Sequence, residues 1–252
     1  KITADLDRND SLLDMAVTLS EEAKGIISRT LKLPDEPSVD LVIAGQGPLS
    51  DFATDINLST DGEQRLAGQV IVAAQGDSAA PDRRIQADLN GDVTALILSQ
   101  YREFFGPDVA LTVDALVQAE GGVEVSDFAL KAQSAELQGK VTLNSDNWPS
   151  LIDITGTVAS ADGSRVLLPV AGGDTYVRRV GLDVNYNAQD GDAIDATFDV
   201  TELATDALAI DATQLKLNGT LQGAAGTVGE FMGDLVFSAD GLTLTNAAVS
   251  EA

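Results

Sequence analysis

GQGPLSDFATDINLSTDGEQRLAGQVIV, residues 45–72, is the stretch whose reading decides the fold. It holds a Gly-Pro turn, an alternating run from Phe52 to Leu58, an Asp61-Gly62 turn and a second run from Leu66 to Val72. Side chains of period two point to opposite faces of a β-strand, so each run is a strand with one apolar face. A two-residue Asp-Gly link between such runs signals a hairpin, because both turn positions take positive φ. The closing Leu66-Ala67-Gly68-Gln69-Val70 returns as Leu137-Gln138-Gly139-Lys140-Val141 and, more loosely, as Leu217-Asn218-Gly219-Thr220-Leu221. The chain therefore reads as one continuous antiparallel sheet built of loose repeats, at about 39–92, 108–161 and 177–250.

The same alternation runs outward from that stretch. Residues 12–19 and 26–33 read as two edge-type strands around Glu21-Glu22. Clean inward rows follow at Val39, Leu41 and Ile43, at Ile85, Ala87 and Leu89, and from Val109 to Val117. Later turns fall at Gly121-Gly122, Asp162-Gly163, Asp190-Gly191 and Asp240-Gly241. Roughly 14 strands are expected, on the order of 65 Å of sheet if it never closes on itself. Thr94 to Phe105 breaks the pattern: Leu96, Ile97, Tyr101, Phe104 and Phe105 fall at helical spacing. Thr94 is the expected N-cap and Gly106-Pro107 the stop of one short helix, either a lid across a groove or a connector capping a sheet edge. Gly45, Gly68, Gly139, Gly156 and Gly219 are in phase with apolar neighbours. Glycine there marks either separate bulges or a crease along which the sheet folds into a gutter.

Composition narrows the function. With 252 residues and an apolar fraction of 44% but only 4% aromatic, the apolar face is built from Val, Leu, Ile and Ala. A formal charge of −25 argues against nucleic acid as partner and against lying flat on an anionic membrane. The chain has no Cys and no His, which removes thiolate and imidazole chemistry and the usual zinc ligands. No G-x-S-x-G elbow or phosphate-binding glycine loop occurs, and forty acidic residues make any one carboxylate pair uninformative. Around Asn185, Asn187, Asp190 and Asp192, setting Gly191 as the sixth position of a calcium loop puts Tyr186 first and Ala188 third, so the match fails. The expectation is no enzyme, no cofactor and no catalytic metal. The pattern at Lys1 and at Ala252 suggests an internal stretch of something longer.

A single sheet with one apolar face must cover it with a second sheet, close into a barrel, or curl around an apolar ligand. The candidate groove-facing residues are Leu41, Ile43, Val70, Val72, Leu111, Val113, Val141, Leu143, Ile152, Ile154, Leu182, Val184, Phe198, Leu215, Leu217 and Phe237. Such a surface suits acyl chains, and it suits a sandwich core equally. A closed ligand-binding barrel would need a strand count near eight.

The run at residues 45–70, the segment ASADGSRVLLPVAGGDTYVRRVGL at 159–182 and the Leu-x-Gly-x-Val units resemble the TamB family of the AsmA-like superfamily. The similarity extends over most of the chain from about Leu33, carried by the order of motifs that are individually hairpin grammar. The resemblance implies a β-taco, an elongated curled sheet with an apolar concave face, in a periplasmic protein anchored in the inner membrane. It implies phospholipid transport or outer-membrane protein assembly as the function. The implied partners are phospholipid acyl chains in the groove and a TamA-like outer-membrane assembly protein, met through regions outside this sequence. The alternative is a structural or adhesive β-solenoid or sandwich module of a secreted surface protein.

Overall fold

The computed structural model describes residues 2–9, 12–48, 50–76, 80–171, 173–222 and 230–244. Its alternating runs join into one sheet of seventeen strands. In chain order these are β1 (Ile2–Asn9), β2 (Leu12–Glu21), β3 (Val39–Pro48), β4 (Asp51–Thr60), β5 (Glu63–Gln75), β6 (Asp82–Gly91), β7 (Val109–Val117), β8 (Val123–Lys131) and β9 (Ala135–Leu143). They continue as β10 (Pro149–Ala159), β11 (Val166–Leu167), β12 (Tyr176–Val177), β13 (Arg179–Asn187), β14 (Ala193–Ala204), β15 (Leu208–Gln222), β16 (Glu230–Asp240) and β17 (Thr243–Leu244). Three are two residues long; the other fourteen form an antiparallel meander in which β10 passes directly to β13. Among the described residues no pairing joins β16 back to β1, so the sheet is open.

The register keeps the inward residues in line, apart from bulges at Arg65, in β8 between Val125 and Phe128, and at Ser150. One row crosses thirteen strands through Val17, Ile43, Ile56, Gly68, Leu89, Leu111, Leu130, Leu137, Gly156, Leu182, Phe198, Leu215 and Phe237. Exposure alternates with it: in β2 the inward residues are half-buried and the outward ones exposed along all ten positions. With a single layer of strands, one face can be the less exposed only if curvature draws its side chains together. The apolar face is therefore the concave one. The chain exposes 15040 Å², against about 10,500 Å² for a compact protein of this mass. The excess belongs to a curled single sheet rather than to a ball.

Glycine lets neighbouring strands approach closely. A Cβ on Gly68 would lie 1.9 Å from the Asp88 carbonyl oxygen, and one on Gly139 would lie 2.2 Å from that of Asp153. Gly68, Gly139 and Gly219 each fall in the third strand of a group of four, β3–β6, β7–β10 and β13–β16. Gly139 and Gly219 each stand one inward position further along the strand than the row through the preceding glycine would place them.

Four strands return the chain to the side from which it started, so the connections between groups share one rim. That rim carries residues 22–38, 92–108 and 160–178, whereas the fully described connections of the opposite rim, at 118–122, 144–148 and 188–192, are short. Residues 26–33 are not a strand, as their spacing suggested, but contain helix α1 (Ile26–Thr30). The Glu21 carboxylate accepts hydrogen bonds from the first backbone N–H groups, those of Ile26, Ile27 and Ser28. That capping favours a helical turn over an extended run, and it buries Ser28 while Ile26 stays 74% exposed. The helical stretch at 94–105 is divided: 3-10 turns at Thr94–Leu96 and Ser99–Tyr101 precede α2 (Arg102–Phe105). Thr94 is not an α-helical N-cap. It donates through N and Oγ1 to the Asp92 carboxylate, which fixes a local turn instead. Gly106, at φ 67°, ends α2 where the sequence placed the stop.

Candidate functional site

All sixteen candidate groove residues lie on the concave face. Leu41 and Ile43 oppose Leu58 and Ile56, which in turn place Gly68 and Val70 in phase. Val141 and Leu143 pair with Val125 and Val123, and Ile152 and Ile154 with Tyr186 and Val184. Phe198 stands between Leu182 and Leu215, and Phe237 lies beyond Leu215. Fifteen of the sixteen are half-buried and Phe237 is 56% exposed. No charged residue occupies the long row described above or the two rows beside it toward the plain rim. The surface is continuous, aliphatic and only partly covered by its own side chains.

The opposite face is where the charges meet. Arg84 grips Asp114 across β6 and β7 through Nε at 2.9 Å and Nη2 at 2.5 Å. This pairing holds the Asp114 carboxyl below its ordinary range, the Arg84 hydrogen bond being the leading cause. Lys140 meets Asp153 at 3.3 Å in directly opposed positions, and Gln214 donates to Asp199 in the same way. The ion pairs thus lie on the outer face, while the three inner rows named above hold no charge.

Depth varies along the concave face. Ala115, Tyr186, Ile194 and Ala196 are buried, marking a tightly curled middle. At the elaborated rim, Val109, Ala132 and Ala135 form a small core with Phe104, Phe105, Leu130 and Val158 packed against it. Phe104 and Phe105 are themselves in edge contact, centroids 5.0 Å apart. The backbone N–H groups of Gln133 and Ser134 donate to the carbonyls of Phe105 and Phe104, tying α2 to the β8–β9 turn. The helical segment thus caps strand ends at one rim, as a connector.

Sequence reasoning missed a second rim structure. β11 and β12 form a short hairpin with Val177 completely buried and Val166 nearly so. Glu202, held at φ 49°, receives Arg178 through Nε at 2.5 Å and Nη2 at 3.0 Å and Arg165 through Nε at 3.2 Å. Arg178 also donates to the Gly163 carbonyl. The pairing is between residues far apart in sequence, and the only local signal was an arginine at each end of the hairpin.

Among the described residues no group of three acidic side chains could hold a metal ion, and no helix is long and apolar enough to cross a membrane. No protein-family model, curated protein or solved structure matches the chain.

Proposed function

We propose that this chain is a non-catalytic periplasmic segment of a TamB-like bridge between the inner and outer membranes, its groove sheltering phospholipid acyl chains or the apolar strands of outer-membrane proteins in transit. The observation that carries the reading is the half-buried concave face, three of whose rows, largely aliphatic, cross the meander from β2 to β16 without charge. A sandwich module would seal such rows under a second sheet, and a soluble chain rarely leaves so long an apolar strip uncovered. Aliphatic contact without fixed polar anchors is weak and sliding, which suits passage of cargo better than storage of one ligand. The polar outer face and the charge of −25 keep the sheet from pairing with its neighbours during that task.

The test is site-specific photo-crosslinking in periplasm. Val113 and Leu143 lie on the concave face, Thr112 and Thr142 on the outer one. Lipid adducts at the first pair and none at the second support the groove. Crosslinks at Val113 and Leu143 confined to the chain itself would sink it.

A further inference from the structure

The three long rim connections differ in charge from the sheet they decorate. Residues 22–38 carry three cations against three anions, 160–178 two against two, and 92–108 one against three. Together they hold only −2 of the chain's −25. A phosphate that the sheet would repel is tolerated along this rim. Here a cavity of about 270 Å³ opens between α2, the β8–β9 turn and the β11 hairpin, lined by Glu103, Phe104, Ser160, Asp162, Arg165 and Val166 among others. It falls just below the roughly 300 Å³ of the smallest whole-ligand sites, so it suits a headgroup more than a complete ligand.

The polar groups in this cavity are of both signs and incompletely used. Arg165 donates only through Nε, to Glu202, among the described residues. Arg178 satisfies Glu202 from the other side through two nitrogens, so Arg165 is not needed to neutralise that carboxylate. Ser160 Oγ and Ser164 N both donate to Asp162 Oδ1 at 2.8 Å, and with the Ser164 hydroxyl they use three of the roughly four acceptor positions of that carboxylate. Arg165 and Asp162 do not pair with each other. A guanidinium with free terminal nitrogens lining the same cavity as a carboxylate with acceptor capacity left is a receptor for a zwitterion. Phe104 lines the cavity and also packs on the core formed with Leu130 and Val158, so cavity and concave face adjoin.

We propose that this cavity holds the headgroup of a zwitterionic glycerophospholipid, its phosphate on Arg165 and its ammonium on Asp162, with the acyl chains passing Phe104 onto the concave face. This deepens the groove reading and rests on it. The cavity fixes one end of the lipid, while the aliphatic rows hold the other without selectivity.

The experiment is calorimetric titration of the whole chain with three probes below their aggregation limits: dihexanoylphosphatidylethanolamine, dihexanoylglycerol and free phosphoethanolamine. The phospholipid should bind about tenfold more tightly than the diacylglycerol, a difference that one charge-assisted contact supplies. Arg165→Gln should abolish the preference while leaving diacylglycerol binding unchanged, and Arg165→Lys should restore part of it. Strong binding of phosphoethanolamine alone would overturn the lipid assignment in favour of a soluble phosphate ester. Equal binding of both lipids to the unmodified chain would overturn the headgroup site and leave the groove standing. Failure of both lipids to bind would remove the groove and the inference together.

Discussion

Gly139 in β9 lies directly opposite Ile154 in β10, and a methyl group on Gly139 would stand 2.2 Å from the Asp153 carbonyl oxygen and 2.9 Å from the Ile154 Cα. Both obstructing atoms are backbone, so the neighbouring strand itself would have to move. Gly181 in β13 offers the contrast, since a Cβ there meets nothing nearer than Asp199 Cβ at 3.9 Å. Gly139→Ala should therefore destabilise the sheet by about 1–3 kcal/mol, the usual cost of overpacking. Gly181→Ala should be neutral or stabilise by up to about 1 kcal/mol through the unfolded chain. Thermal unfolding followed by circular dichroism separates them; equal midpoints for the two variants would mean that the strand beside Gly139 accommodates a methyl group.

The concave face is not uniformly covered, and truncations should read out the gradient. Tyr186 is 4% exposed between Ile152 and Ile194, whereas Phe237 is 56% exposed beyond Leu215. Tyr186→Ala should cost about 3–5 kcal/mol, as for other large buried aromatics. Phe237→Ala should stay within about 0.5 kcal/mol. Urea unfolding of both variants gives the comparison, and a large cost at Phe237 would mean that something in the folded chain covers it.

The strand phase was legible because period two is a local property and the apolar face never changes side. The positions of Leu41, Val113, Ile154 and Leu215 on one face follow from that alone. The Asp61-Gly62 turn was legible for the same reason, both residues taking the positive φ that the hairpin requires. What the sequence concealed lies at the rim. α1 forms because Glu21, at the end of a strand, reaches the N–H groups of Ile26 to Ser28, a contact no periodicity encodes. The β11–β12 hairpin depends on Glu202, far along the chain, joining Arg165 and Arg178. Burial set by long-range contacts, here Val177 and Ser28, is invisible to a pattern that only counts alternation.

Charge repulsion should make this fold respond to salt in the direction opposite to that of a protein held by surface ion pairs. Pairs such as Lys140–Asp153 and Lys131–Glu136 are exposed, and each contributes about 0–1 kcal/mol. The −25 charge acts over the whole sheet. Raising the ionic strength from about 0.01 M to 1 M shortens the screening length from roughly 30 Å to 3 Å. The unfolding midpoint should rise with sodium chloride. A fall would show that the outer-face ion pairs outweigh the repulsion.

Asp162 gives the rim a pH signature of its own. Hydrogen bonds from Ser164, through its hydroxyl and backbone N–H, and from the Ser160 hydroxyl lower its carboxyl to about 2. A carboxyl depressed in the folded state adds stability that is complete above its ordinary value, about 3.9. That contribution is lost as pH falls from there through the folded value. Glu202 is shifted the same way, chiefly by its hydrogen bond from Arg178 and then by that from Arg165. The hairpin should therefore keep its geometry down to about pH 4 and loosen between about pH 4 and 2. In a nuclear magnetic resonance titration the Ser164 amide, which donates to Asp162 at 2.8 Å, should shift with a midpoint near 2. Asp162→Asn should abolish that transition and leave the Arg84–Asp114 pair on the outer face untouched. A Ser164 midpoint at the ordinary carboxyl value would mean that the three bonds around Asp162 do not persist in solution.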